Sequence, residues 1–541
     1  MKPSTAPTPP QPRLPVRHHP GSGRWWTKII PVAALLGAAY YIGLLIQRPE
    51  RRVIQSAAGA LLLYLAFRLS IYQSLAFFLV VYPYPTFTSV GSTNTLILFV
   101  IAVVWAVRVT TGELKMTFRG LLTPVFPLII LGYLLSTYSI QTEEHLQGSI
   151  GILFDVLSCL MLYFMVVNFV TDERSLRRTL YFFGISSILI HFVAVYEVLF
   201  PGRAFLPGWL ISERTTFLNA RFGVRTGGPF RDFELLSEYC AVTIPLVLFL
   251  WLRSPRGGRM FWGVVLGLTV FSQFATVTRG GFVSLILGLA YLAWMLRKEL
   301  GVVKTVTGFA TVLVLLAGIG VVLPSMFRME SLFERLERTK LEKGLPDSRA
   351  FTWTQSWKRA QEHIFLGHGP QFTSGSGLTR YYWPHNGYLF LWVTIGLTGL
   401  VGYVAAFLTC FFATGRYRGP YMSGDFVPGL LTALHVSWLV FMVDQAKIDF
   451  GRNPIYFQFT WLLMGLTSAV WAIARHDARA REAAGIPAGV PGVAGSAALA
   501  GAAGVPGAAG VAGAAPGAEP VPGAGLPAPG PGRTRKIMGP A

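Results

Sequence analysis

Long uninterrupted apolar windows constrain this chain more than any other feature of its sequence. The windows 301–324 and 386–413 carry one charge or none, and each exceeds the roughly 20 residues that a helix needs to cross a bilayer core. Similar windows recur from residue 29 to residue 474. Because backbone polar groups in hydrocarbon must be satisfied within the segment, we predict an all-α, polytopic transmembrane helix bundle of about 12–14 spans.

The two ends of the chain differ from this apolar middle in composition. Residues 1–28 are basic and Pro-rich, and residues 475–541 are rich in Ala, Gly and Pro. Such segments bury too little apolar surface to fold, so we predict a disordered cytoplasmic N-terminus and a disordered C-terminal tail. Residues 29–474 then form one membrane domain, with two long connections at 201–235 and 325–385.

The charge of the chain points to membrane topology rather than to nucleic acid. The formal net charge is +21 although only 13% of the residues are charged. The Arg and Lys residues stand in short clusters between apolar runs, where the positive-inside rule places them. We therefore expect no nucleic-acid partner. The three cysteines lie singly within apolar runs, without the spacing of a metal or disulfide framework, so we expect no metal and no cofactor.

The basic clusters also predict which connections share a side. We predict helices near residues 94–110, 121–138, 149–170, 178–200, 236–252, 260–277, 280–296, 301–324, 386–413, 427–446 and 455–474. If the basic connections between them are cytoplasmic, both long connections lie outside. Arg68 interrupts the run from residue 53 to residue 81. Two short helices there put the N-terminus inside, the reading that we favour, and one broken helix puts it outside.

The longer outer connection, 325–385, is predicted to be folded. Ser331 and Glu334 have the spacing of a capping box, which marks a helix start. A second helix is expected to begin near Asp347 or Ser348, and its apolar stripe contains Trp353, Trp357, Ala360 and Ile364. This pattern is typical of an amphipathic helix that lies on the membrane surface or on the bundle.

His385 is predicted to lie where the chain re-enters the membrane. Unpaired N–H groups and the helix dipole favour an anion at such a helix start. A histidine there can titrate near neutral pH and act as a general base. The alternative is ordinary polarity at the membrane interface beside an Asx-like cap.

Several arginines are predicted on the same outer face. The connection 201–235 contains Arg203, Arg214, Arg221, Arg225 and Arg231, against the positive-inside bias. Guanidinium groups match a diphosphate bidentately, although anchoring to lipid headgroups is the alternative. Arg279 stands in a very short connection between apolar runs, where snorkelling to the interface would relieve its insertion cost. Arginines and a histidine from three segments together suit a lipid-linked phosphate.

At these residues the chain resembles the O-antigen ligase and O-antigen polymerase family of bacterial envelope glycan enzymes. The matching segments occur in the family's order between about residues 215 and 415: Arg225–Phe230 before a helix with Pro245, Thr278–Gly281, Leu366–Pro370, and His385–Leu389 leading into Ile395–Leu400. The chain departs from the family at Arg231–Glu234, where an Asp-Pro-Asn-like segment is often found.

The resemblance implies a GT-C-like membrane glycosyltransferase that is inverting and metal-independent, and that uses no cofactor. Its donor would be an undecaprenyl-diphosphate-linked oligosaccharide at the periplasmic face of the bacterial inner membrane. Carried over, Arg225 and Arg279 would hold the diphosphate with help from Arg221 and Arg231. His385 would take the acceptor proton, or orient the acceptor or the phosphate. Asn386 and His368 would support the acceptor or the loop.

Three functions remain open from the sequence. We favour a polymerase of exported repeat units over a ligase that transfers glycan to the lipid A core, because the loop before His385 is long. Either enzyme would work among membrane lipids, and other polysaccharide-export proteins are further candidate partners. A lipid-linked sugar flippase is the third reading. It would need polar groups within the membrane, for which Asp155 and Asp444 are the candidates.

Overall fold

The structure, a computed structural model, describes part of the chain. The described residues are 64, 68–84, 87–88, 91–201, 216–219, 223–327, 329, 331–337, 341–342, 345–371 and 383–483. They all belong to one compact unit. The first predicted helix near residue 29, the C-terminal tail and Arg221 lie outside the described residues.

Within the described residues the fold is almost entirely helical. The helices are α1 (Ile71–Val81), α2 (Thr93–Thr110), α3 (Phe126–Ser136), α4 (Glu143–Phe169), α5 (Glu173–Leu199), α6 (Phe233–Arg253), α7 (Arg256–Ala275), α8 (Arg279–Leu300), α9 (Val302–Phe327), α10 (Leu332–Glu337), α11 (Asp347–Glu362), α12 (Gly387–Arg416), α13 (Phe426–Asp444) and α14 (Pro454–Ala483). Every helix predicted beyond residue 94 is present, with differences at the ends. The prediction of an all-α polytopic membrane protein is confirmed.

Three short antiparallel hairpins accompany the helices in the described part of the chain. They pair β1 (Phe87–Thr88) with β2 (Gly91–Ser92), β3 (Thr216–Asn219) with β4 (Gly223–Thr226), and β5 (Leu341–Glu342) with β6 (Leu345–Pro346). The sequence did not indicate them, because each lies in a connection that breaks the apolar pattern.

Nine of the described helices are long and apolar enough to cross a membrane. Helix α1 and the segment Phe126–Ser139 are apolar but shorter. Helix α1 begins directly after Ser70, whose side chain and Gln73 form a capping box. The apolar run around Arg68 is therefore interrupted by a helix start. The orientation of the N-terminus stays a prediction.

Burial separates a central layer of helices from a peripheral one. In α6, α13 and α14, between 78% and 89% of the apolar window is buried inside the protein, against 6% in α9. Helix α9 therefore faces the surroundings over most of its surface, as a lipid-facing helix does. The ends of α6, α13 and α14 are held rigidly by their neighbours and offer a firm base for a site.

The basic connections lie at one end of the bundle. Arg253 donates to the carbonyl of Met422 at 2.9 Å, and Arg481 pairs with Asp425 at 2.5 Å. Glu299, at the same end, accepts the N–H groups of Tyr421 and Met422. The start of α6, the start of α8 and the start of α12 lie at the opposite end.

Helix α11 packs on the first turns of α12. Ala360 is fully buried beside Leu389 and Val393, and the rings of Trp357 and Trp392 meet edge to face with centroids 4.9 Å apart. Of the two predicted placements, the structure has the one on the bundle. Trp357 remains about half exposed.

A kink in α12 receives the loop that follows α11. Gly396 has φ 68°, inside a helix that is otherwise regular. A Cβ at this position would lie 2.1 Å from the carbonyl oxygen of Phe365. The amide N–H of Leu397 donates to the carbonyl of Ile364 at 2.8 Å, so the loop satisfies backbone groups that the kink leaves free.

We expect Gly396→Ala to destabilise the protein by at least about 1–3 kcal/mol, because the new methyl group overpacks the loop and the backbone has a left-handed φ. Thermal unfolding of the detergent-solubilised protein measures this loss. Gly267→Ala is the matched control, since a Cβ there meets nothing within 4 Å and alanine favours the helix. Equal unfolding temperatures in the two variants would contradict the role of the kink.

Candidate active site

Arg225 links three elements at the end of the bundle opposite the basic connections. It lies on β4 opposite Phe217 and is only 8% exposed. Its Nε donates to the carbonyl of Thr276 at 3.0 Å, and its terminal nitrogen lies 3.4 Å from Thr278 Oγ1. The guanidinium carbon is 3.5 Å from the ring centroid of Phe233. One face of this cation is thus fixed by aromatic packing and its edge by the connection between α7 and α8.

A buried carboxylate holds the strand that carries Arg225. Glu197, near the end of α5, is fully buried. It accepts hydrogen bonds from Thr226 Oγ1 and from the N–H of Gly228, the latter at 3.1 Å. Because a backbone N–H and a side chain meet the same carboxylate, the position of the hairpin relative to α5 is well defined.

Arg279 follows directly after Thr278, which contacts Arg225. It is the first residue of α8 and is partly exposed. The preceding residue, Thr278, contacts Arg225 and also donates to the carbonyl of Phe233 at 3.2 Å. The two arginines predicted to bind a diphosphate therefore come from different segments to the same end of the bundle.

Lys447 fixes the start of α8 from the opposite side. Its ammonium donates to the carbonyl of Gly280 and to Ser284 Oγ, and it pairs with Asp444. These three contacts use all three protons of the ammonium. Lys447 therefore acts on the turn that presents Arg279, and it has no proton left for a ligand.

His385 is held just before α12 in an uncommon backbone conformation. Its φ is 45°, a left-handed value that histidine adopts more readily than most residues. The next residue, Asn386, caps α12 by accepting the N–H of Leu389 at 3.0 Å, and it donates to the carbonyl of Ala446 at 3.0 Å. The His385 side chain is 35% exposed, so it is anchored through its backbone and open at its ring.

Charged groups that the sequence did not single out surround His385. Arg452 lies 3.1 Å from Nδ1 of His385, and Oε2 of Glu234 lies 3.4 Å from the same nitrogen. Arg452 also pairs with Asp232, the residue that caps α6. Arg349 from α11 contacts the other oxygen of Glu234 at 3.1 Å. Glu234 thus joins two arginines and a histidine from separate parts of the chain.

Two adjacent residues connect the arginine pair with the histidine. Phe233 packs on Arg225, and Glu234 lies beside His385 and Arg452. Both stand in the first turn of α6, in the segment where the sequence departs from the family pattern. The segment Arg231–Glu234 is therefore the meeting point of the site, a role that its sequence alone did not indicate.

The other predicted site residues that the structure describes lie in loops and contact the backbone. Arg231 ends the 3₁₀ helix Gly228–Phe230 with φ 55° and is partly exposed. His368 is buried between α11 and α12, with Nε2 2.8 Å from the carbonyl of Arg359. Burial lowers the pKa of His368, and its Nε2 donates to that carbonyl. Its contacts place it beside the α12 kink as support for the loop.

Buried carboxylates also occur near the site. Asp449 accepts the indole N–H of Trp383 at 2.7 Å, and burial raises the pKa of this carboxyl despite the nearby Arg452. Asp155, one of the two residues considered for a transport pathway, accepts from Thr95. Within the described residues, no group of His, Cys, Asp or Glu has the arrangement of a metal site.

These features define a polytopic helical membrane protein with a strongly charged site at one end of its bundle. Residues 264–404, about a quarter of the chain, match the family model described as O-antigen ligase, so this part of the chain is similar to that family of membrane glycan-assembly enzymes. The matched region begins in α7 and ends in α12, and it includes Arg279 and His385 but neither Arg225 nor Arg452. No curated protein matches the chain.

Proposed function

We propose that this protein is an inverting, metal-independent glycosyltransferase that polymerises repeat units of an undecaprenyl-diphosphate-linked glycan. The observation that carries this proposal is the meeting of Arg225, Arg279 and His385, from three distant segments, at one end of the bundle. A lipid-linked donor enters from the membrane and presents its diphosphate at the interface. A rigid group of cations at helix ends suits such a ligand.

The two arginines would act on the charge that develops during transfer. As the bond between C1 of the sugar and the phosphate oxygen breaks, its electron pair moves onto the diphosphate. Donors that are already in place for that charge stabilise the transition state without reorganisation, which is usually the largest catalytic contribution. Arg225 is held by Thr276 and Phe233, so little would need to move.

The proposed site would face the periplasm across the bacterial inner membrane. The clusters of basic residues between α4 and α5, α6 and α7, and α8 and α9 lie at the opposite end of the bundle. The positive-inside rule assigns that end to the cytoplasm. Arg225 and Arg279 run against this bias, as expected for residues retained for a ligand.

A ligase that transfers the glycan to the lipid A core is the second candidate. It is favoured by the description of the matched family model as O-antigen ligase, whereas the long connection before His385 favours the polymerase. A flippase is less well supported. Asp155 accepts a hydrogen bond from Thr95, and Asp444 is bound by Lys447 and Ser284. Both carboxylates are therefore engaged within the protein and are poor candidates for lining a transport pathway.

Deleting the gene and analysing both the surface glycans and the lipid-linked intermediates tests the proposal. For a polymerase we expect loss of long chains while single repeat units still reach the cell surface. Long lipid-linked chains that never reach the lipid A core would instead establish a ligase. Unchanged glycans in the deletion strain would remove both enzymatic readings, and accumulation of donor on the cytoplasmic leaflet would favour a flippase.

A further inference from the structure

The contact between Arg452 and His385 fixes which ring nitrogen of the histidine carries a proton. A guanidinium group can only donate hydrogen bonds and stays protonated in proteins. At 3.1 Å from Nδ1, Arg452 therefore requires Nδ1 to accept with its lone pair. In a neutral imidazole one nitrogen accepts and the other carries hydrogen. In the neutral ring, the Arg452 contact therefore favours the tautomer with the proton on Nε2.

Glu234 also faces Nδ1, but from farther away than Arg452. Its Oε2 lies 3.4 Å from Nδ1, against 3.1 Å for Arg452, and 3.7 Å from Arg452 itself. The other oxygen is engaged by Arg349 at 3.1 Å. Glu234 therefore contacts both the ring and the guanidinium group that donates to it.

Arg452 is a firmly held donor. It stands on the 3₁₀ helix Phe450–Arg452 directly before α14 and forms an ion pair with Asp232. Burial lowers the pKa of Arg452, but the carboxylates of Asp232, Asp449 and Glu234 more than offset this and raise it. Its second terminal nitrogen thus binds the carboxylates while the first faces the imidazole.

The other side of the imidazole is open. No contact within the described part of the chain involves Nε2, and the side chain is 35% exposed. The charged groups that face the ring are Arg452, Glu234 and Asp449. An open N–H beside a group of arginines is a further donor for an anion.

We propose that Arg452 is a positioning residue that holds His385 as the Nε2–H tautomer, so that His385 donates a hydrogen bond to the diphosphate of the glycan donor and takes no proton from the acceptor. This inference rests on the proposed glycosyl transfer. The acceptor oxygen forms a bond to C1 while the bond from C1 to the phosphate oxygen breaks, and its electron pair leaves with the diphosphate. The acceptor proton is released to solvent on the face of the sugar opposite the departing diphosphate, and His385 keeps its own proton.

Substitution of His385 by glutamine or asparagine distinguishes a role as hydrogen-bond donor from a role as general base. The amide nitrogen of glutamine reaches the place of Nε2 and can donate, whereas that of asparagine reaches the place of Nδ1. Neither amide accepts a proton near neutral pH. A general base contributes roughly 10²–10⁴-fold to a rate, so a base role predicts losses of that size in His385→Gln, His385→Asn and His385→Ala alike.

For a donor role we expect His385→Gln to keep activity within about tenfold of the natural protein, and His385→Asn and His385→Ala to lose about 100-fold or more. The assay uses the purified full-length protein in proteoliposomes with undecaprenyl-diphosphate-linked oligosaccharide extracted from the deletion strain. If the variants instead lost activity through backbone strain at φ 45°, His385→Asn would be more active than His385→Gln, because asparagine adopts the left-handed backbone conformation more readily than glutamine. Equal losses in His385→Gln and His385→Ala would overturn the inference.

The pH dependence of the rate tests the positioning role of Arg452. In Arg452→Met the Nδ1 atom is released beside Glu234 and can take up a proton. We expect the rate profile of Arg452→Met to gain a dependence on pH that the double variant Arg452→Met, His385→Gln lacks. Arg452→Lys, which can still donate to Nδ1, should not gain it. A profile unchanged in Arg452→Met would contradict the role.

The same assay distinguishes failure of this inference from failure of the proposed function. If Arg279→Ala is inactive while His385→Gln is as inactive as His385→Ala, the donor role is wrong and the glycosyl transfer stands. If Arg279→Ala retains full activity, the diphosphate site itself is wrong, and so is the inference that rests on it.

Discussion

Arg279→Ala is expected to lower the rate of glycan transfer by about 10²–10³-fold, the usual loss when one preorganised donor to a developing negative charge is removed. The residue lies at the very start of α8 and is partly exposed, so the helix and its packing should be retained. Transfer from the lipid-linked donor in proteoliposomes measures the effect, and membrane insertion is followed in parallel by fractionation.

Two further variants sharpen this test. Arg297→Ala changes an arginine of the same helix at the opposite end, where the side chain is exposed and packs on Trp294. We expect it to leave transfer unchanged. Arg279→Lys keeps the charge but not the planar fork, so it should restore only a small part of the activity. Full transfer in Arg279→Ala would remove this residue from the site.

The sequence was sufficient to predict most of the helices. Apolar windows of span length allow few alternatives, because a bilayer leaves the backbone no other partners. The apolar windows did not predict the kink at Gly396, because a glycine inside such a window is also compatible with a straight helix. Only the approach of the Phe365 carbonyl to this position shows why the helix bends there.

Only some residues of the candidate site could be predicted from the sequence, because the sequence shows local patterns and not which helix ends meet. Arg225, Arg279 and His385 stand at the borders of apolar runs, on the side of the bundle that the basic clusters predict to be outside, so each attracts attention in the sequence. Arg452 and Glu234 are ordinary residues at helix ends in the sequence. Their importance comes from which ends meet in three dimensions, and a pattern along the chain does not contain that information. Whether the predicted residues perform the proposed roles is for the variants to decide.

The charged residues around the site also bind its elements to one another. Glu234 of α6 holds Arg349 of α11, and Asp232 holds Arg452 before α14. These pairs are partly buried, so they add little net stability compared with apolar packing, but they are costly to break on one side only. The geometry of the site and the integrity of this end of the bundle therefore depend on the same contacts.

Lys447→Met is expected to destabilise the protein by about 3–5 kcal/mol, because it leaves a buried carboxylate without its counter-charge. Asp444 is fully buried at the end of α13, and its partners are Lys447 and Ser284. Thermal or denaturant unfolding in detergent measures the loss. Lys298→Met, at the opposite end of the bundle and exposed, is the control and should unfold like the natural protein.

The double variant Asp444→Asn, Lys447→Met separates charge from packing. Removing both charges leaves no uncompensated carboxylate, so we expect most of the lost stability to return. Activity should not return with it, because Lys447 also holds the carbonyl of Gly280 in the turn that presents Arg279. A single variant as stable as the natural protein would show that the Asp444 carboxyl is neutral without Lys447. A double variant with full activity would show that the turn keeps its shape unaided.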